Sequence, residues 1–198
     1  KFIYVLQLSF DMGTKFSVQN FKKYLTLRNF LIAGIFFVIY LMFSNLAKAI
    51  VFMAIFTPLG MLSIKTTKFI PHVGVETVTA TSFFMGYMFG WPVGAFFGLI
   101  LGSYMWGSVA GFSQFVILMI GLNGQVAILG AWFFKLGWGF PIAYTVGMAI
   151  RNFSSWALGI AMGADPVSNI GHTVADVIWN MIIFSQLMFV LYDLVKFI

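Results

Sequence analysis

Phe112-Ser-Gln-Phe-Val-Ile-Leu-Met-Ile-Gly-Leu-Asn-Gly-Gln-Val-Ala-Ile-Leu-Gly-Ala-Trp-Phe-Phe134 carries no charged side chain from end to end. A helix needs about 20 mostly apolar residues to cross about 30 Å of hydrocarbon at about 1.5 Å per residue. This stretch meets that requirement, and the rest of the chain is built the same way. Of its 198 residues, 61% are hydrophobic and 8% charged, and the mean hydropathy is +0.99. A water-soluble domain carries about a quarter charged residues, because its surface must be wetted. With 11 Lys and Arg and 5 Asp and Glu, this chain cannot coat such a surface. It reads as an all-α, polytopic membrane protein whose solvent is the lipid bilayer. A single membrane domain is expected over residues 1–198, with 1–24 a cytoplasmic or interfacial N-terminal segment and 25–198 the helical bundle.

Five further spans flank that stretch. They run from about Leu25 to Ala47, Val73 to Phe89, Pro92 to Trp106, Phe140 to Ala164 and Thr173 to Val195. Gly90-Trp91-Pro92 makes a tight reversal between the second and third, since proline suits the first turn of a helix and not its interior. The second and third are short for full spans. Ala49 to Leu62 is apolar but is interrupted by Thr57-Pro58-Leu59-Gly60. The expectation is a six-helix transmembrane bundle, with this segment re-entrant or interfacial within a long first loop and a seventh span as the alternative.

The basic residues give an orientation. An N-terminus inside places Lys15, Lys22, Lys23, Arg28, Lys135 and Lys196 in the cytoplasm and Lys48, Lys65 and Lys68 outside, in a multi-pass protein of the cell membrane. The net charge of +6 forms no aromatic-interleaved patch, so nucleic acid is not the expected partner. The first apolar run, Phe2 to Phe10, is short and lacks a small-residue cleavage pattern, so no cleaved signal is expected there. The absence of Cys removes disulfides and thiolate metal sites.

Small residues mark where helices approach closely, because lipid supplies no hydrophobic force between them. Gly94, Gly98 and Gly102 share one face of the third helix, and Gly159 and Gly163 form a lesser version on the fifth. Internal packing of the bundle is the expected use.

Polar groups at membrane depth are costly and mark function by default. Arg151 sits near the middle of the fifth helix, either as an anion ligand at a pocket floor or as an interhelical clamp. Asn123 and Gln125 on the fourth helix reach a similar depth and are placed to accept its hydrogen bonds. His72-x3-Glu76 and His172-x3-Asp176 open the second and sixth helices, and residues four apart share a helix face. Those four side chains form a candidate transition-metal site of nitrogen and oxygen ligands, or part of a polar pocket. Lys48, Lys65, Trp106, Gln114 and Asn180 fall toward the same end and complete the candidate solute-binding set.

One stretch carries a family resemblance: Gly74-Val-Glu-Thr-Val-Thr-Ala-Thr-Ser-Phe-Phe-Met-Gly-Tyr-Met-Phe-Gly-Trp-Pro-Val-Gly-Ala-Phe-Phe-Gly-Leu-Ile-Leu-Gly-Ser. Together with the six-helix layout and a long first loop, it resembles the substrate-binding S components of energy-coupling factor transporters. The resemblance implies a six-helix bundle whose first loop acts as lid over an outward pocket. It also implies a membrane coupling protein and two cytoplasmic ATPases as partners. The family's Ala-x3-Ala docking face has no match here, with Ala33-Gly34 and the pair Ala47 and Ala49 the nearest candidates.

These readings lead to a solute-binding transport subunit without chemistry of its own, for a vitamin-like or anionic small molecule. The alternatives are an accessory or structural subunit of a larger membrane complex, and a metal-binding membrane protein built on the two His-x3-acid pairs. No nucleophile elbow or phosphate-binding loop is present to support an enzyme.

Overall fold

The computed structural model describes residues 27–43, 45–69 and 77–197, and the side chains of 29–38, 45–67 and 77–197. Two compact units divide the chain, Lys1–Ser44 and Asn45–Ile198. The first contributes one apolar helix, α1, at Leu27–Phe43. Its 17 residues span about 25 Å.

The second unit is built from six helices: α2 at Asn45–Phe69, α3 at Thr77–Phe89, α4 at Trp91–Val109, α5 at Gln114–Lys135, α6 at Phe140–Ala161 and α7 at Pro166–Phe197. Among the described residues there is no strand. The apolar segments α2 (over Asn45–Thr67), α4, α5 and α7 are long enough to cross a membrane. Helix α6 has the length, but Arg151, Asn152, Ser154 and Ser155 lower its apolarity.

The segment expected to be broken at Thr57-Pro58-Leu59-Gly60 is instead one continuous helix of 25 residues, with Pro58 inside it. The count is therefore seven helices among the described residues, in place of the six expected spans. Proline removes a backbone donor and loosens the turn before it. Here the Thr57 hydroxyl donates to the Met53 carbonyl at 2.7 Å, holding that turn together. The bond reinforces the turn before Pro58, whose missing N–H leaves the Ala54 carbonyl without its usual helical donor. Gly60 completes the arrangement, since a methyl there would sit 2.5 Å from Met105 Sδ on α4.

Helix α3 is the axis of the unit, with every residue from Val78 to Tyr87 buried. It reaches α5 and α4 backbone to backbone. A Cβ on Gly86 would lie 2.0 Å from the Ala127 carbonyl oxygen, and one on Gly94 would lie 2.5 Å from Gly86 Cα. Gly98 is equally tight, 2.7 Å from the Asn123 carbonyl, whereas the nearest atom to a Cβ on Gly102 lies at 3.7 Å, an ordinary contact. The glycine face of α4 thus packs through Gly94 and Gly98, and Gly102 contributes no close approach.

One end of this unit is filled with rings. Phe83, Phe84, Tyr87, Phe140, Tyr144 and Phe189 are joined edge to face or tilted, and Phe140 stacks on Tyr192 with centroids 4.7 Å apart. The Tyr87 hydroxyl closes this end by donating to the Trp138 carbonyl at 2.6 Å. Ile117, Phe153 and Val190 point outward and are exposed, as side chains facing lipid must be.

Candidate functional site

At the end remote from the rings, the last turns of α2, α4 and α6 meet the first turns of α5 and α7. Local sequence explains why they stop there. Gly163, at φ +89, ends α6 in a left-handed conformation that glycine adopts without strain. Asp165 then caps α7, its carboxylate accepting from the Ser168 amide at 2.8 Å, with Pro166 in the first turn. Ser113 caps α5 in the same way. The Asn169 amide donates to the Trp156 carbonyl at 2.8 Å and ties α7 to α6.

Between these ends lies a cavity of about 590 Å³. Its walls are largely apolar, with Trp106 from α4 and Phe115, Val116, Leu118 and Met119 from α5. Polar atoms come mainly from α6 and α7: Ser155, Asp165, Ser168, Asn169, His172, Thr173 and Asp176. Apolar walls with a few converging polar groups, in a cleft of several hundred cubic ångströms, are the usual makeup of a small-molecule site.

Arg151 lies beneath the floor of this cavity and is fully buried. Its Nη1 donates to Asp176 Oδ2 and to Asn152 Oδ1, and its Nη2 contacts Met119 Sδ at 3.4 Å. A guanidinium in a low-dielectric interior is stable only when paired and hydrogen-bonded. Asp176 answers that need while forming part of the cavity wall. About one turn further in, Asn123 accepts from the Thr79 hydroxyl at 2.8 Å, and the Asn180 carbonyl accepts from the Tyr144 hydroxyl at 2.8 Å. Among the described residues, Asn123 Nδ2 and both side-chain atoms of Asn180 have no hydrogen-bond partner although buried. A polar column therefore leads from the cavity into the unit.

Several expected placements change. The partners found for Arg151 include Asp176 and Asn152, whereas Asn123 Oδ1 receives the Thr79 hydroxyl and Gln125 Nε2 donates to the Ser154 hydroxyl at 3.1 Å. His172 and Asp176 do not open a helix. The Asp165-Pro166 cap starts α7 earlier, so His172 falls in its second turn, exposed at the cavity, and Asp176 in its third, buried. Lys48 and Lys65 do not share a loop. Because α2 is unbroken, they lie about 25 Å apart along its axis. Lys48 is half-buried in the first turn, Lys65 is exposed near the last, and neither lines the cavity. Among the described lining residues there is no Lys or Arg.

Trp106 lines the cavity and is almost fully buried. Gln114 is exposed as the first residue of α5, next to lining residue Phe115 but outside the wall. His72 and Glu76 lie outside the described residues. Among the described residues no group of three or more His, Asp or Glu side chains comes together to hold a metal.

No protein-family model matches the chain, and no curated protein or solved structure matches it.

That geometry adds residues the sequence reading passed over. Met119 and Asn152 serve the Arg151 pair, and Ser155 and Asp165 line the cavity. Asp165 was recoverable, since Asp-Pro-x-Ser is an N-cap signature. Met119 had no signal, because a methionine in an apolar run looks the same whether it faces lipid, core or cavity.

Proposed function

We propose that this chain is a membrane-embedded solute-binding subunit of a transporter, receiving a small molecule in the cavity at the α5–α7 end. The observation that carries this reading is a ligand-sized cavity whose floor holds a buried ion pair. A protein that only filled space in a larger complex would have no reason to keep Arg151 at that depth, since apolar replacements of buried pairs are often neutral or stabilising. The six helices of the second unit and the resemblance of residues 74–103 to energy-coupling factor S components support the same reading. It brings a membrane coupling protein and cytoplasmic ATPases as partners.

In this reading the cavity faces outward and the chain lies in the cell membrane. Lys48, Lys135 and Lys196, all at the end remote from the cavity, then fall on the cytoplasmic side, as the positive-inside rule asks. Mass spectrometry of the purified protein tests the role. A non-lipid solute that co-purifies, and that raises the melting temperature when added back, is the expected result. A chain that emerges empty and is stabilised by no solute mixture would remove the proposal.

A further inference from the structure

Asp176 is 7% exposed, and its two carboxylate oxygens have different fates. Oδ2 is held by Arg151, whereas no described residue donates to Oδ1, which is not among the sealed polar atoms of the interior. Asp176 is a lining residue, so the surface it retains opens on the cavity. A carboxylate about nine-tenths buried, clamped on one oxygen and open on the other, is an acceptor waiting for a donor. Leaving it unmet costs the desolvation of a charged group, and meeting it forms a charge-assisted bond.

We infer that the cavity selects a solute presenting an N–H or O–H donor on a flat apolar body, the donor bonding to Asp176 Oδ1, and that it rejects anions. This deepens the solute-binding role proposed above and rests on it. The rings of Trp106 and Phe115 and the thioether of Met119 supply a wall for such a body. Rejection of anions follows from the lining charges. Asp165 faces the cavity, the charge of Asp176 is already matched by Arg151 behind it, and no Lys or Arg among the described lining residues is left to receive an anion. Arg151 cannot serve an incoming carboxylate without releasing Asp176. The anionic solute expected from the sequence is therefore the wrong class, because that expectation placed Lys48, Lys65 and Arg151 on the pocket surface.

Four matched probes test this on the full chain in detergent, by calorimetry: benzamide, N,N-dimethylbenzamide, benzylammonium and benzoate. Benzamide is expected to bind about tenfold more tightly than its dimethyl analogue, the factor one charge-assisted hydrogen bond confers. Benzoate should be weaker than benzamide by at least as much. Benzylammonium binding at or above benzamide identifies a cationic donor as the preferred form, and binding below it identifies a neutral one. Asp176→Asn turns an N–H toward the cavity while its oxygen still faces Arg151, so the preference for benzamide over the dimethyl compound should vanish. Ser155→Phe narrows the cavity while keeping both members of the ion pair and should weaken binding of all four. Equal binding of benzamide and dimethylbenzamide, or tighter binding of benzoate, overturns the inference while leaving a solute-binding cavity in place. No binding of any probe removes the cavity reading itself.

Discussion

The two ends of the second unit solve opposite problems with the same helices. At one end α2, α3, α6 and α7 close on rings: Phe52, Phe84, Phe140 and Tyr192 fill the space, and the Tyr87 hydroxyl finds a backbone acceptor. At the other end α2, α4, α5, α6 and α7 leave about 590 Å³ open, and α6 and α7 bury a charged pair below it. Both ends are made by apolar helices, so the difference comes from side chains. Large rings satisfy packing by area alone and need few polar partners. A guanidinium demands specific acceptors, and the chain has to hold α6 and α7 in register to deliver them. The first end closes on itself, and the second leaves the space that the proposed solute would fill.

The largest effect expected from breaking that contrast comes from Arg151→Leu. It leaves Asp176 buried without its cation and should cost about 3–5 kcal/mol, read as the shift in a denaturant-unfolding midpoint. Adding Asp176→Leu should recover most of that loss while solute binding stays absent, which separates the structural part of the pair from the functional part. Gly86→Ala comes next. Its methyl would meet the Ala127 carbonyl at 2.0 Å, and backbone cannot step aside, so a loss of about 3 kcal/mol is expected in the same measurement. The matching change at Gly102, Gly102→Ala, should be within about 0.5 kcal/mol of wild type, because ordinary contact distances surround it.

Smaller changes sharpen the comparison. Tyr144→Phe takes the donor from the Asn180 carbonyl in the deep polar column, and about 2 kcal/mol should be lost where that carbonyl finds no replacement. Tyr87→Phe removes a similar bond at the ring-filled end, where the acceptor residue Trp138 is exposed and water can substitute. About 1 kcal/mol is expected there. Equal losses at the two sites would mean that the polar column is no drier than the rim.

Much of this layout was legible in the sequence for identifiable reasons. The turn at Gly90-Trp91-Pro92 appears where it was read, with Gly90 at φ +90, because glycine and proline act through local backbone geometry. Membrane character followed from composition, which needs no contact information. Pro58 misled because its effect depends on whether a neighbouring hydroxyl supports the turn, and the Thr57 to Met53 bond does. The depth of Arg151 was readable from helix length, but its partner was not. Choosing among Asn123, Gln125 and Asp176 requires knowing how α5 and α7 rotate about their axes, and α5, apolar on nearly every face, leaves its own rotation unspecified. Asp176 was misplaced by the late start assigned to its helix, and the Asp165 cap would have corrected it.

The chain has no cysteine, so single engineered thiols report on one site at a time. Ser155→Cys on the cavity wall and Ala143→Cys among the rings differ in little but the end of the unit they occupy. Reaction with a small, membrane-impermeant methanethiosulfonate, applied from outside intact cells, should modify Ser155→Cys within minutes and leave Ala143→Cys untouched. Equal protection at both positions would contradict a solute cavity open at this end.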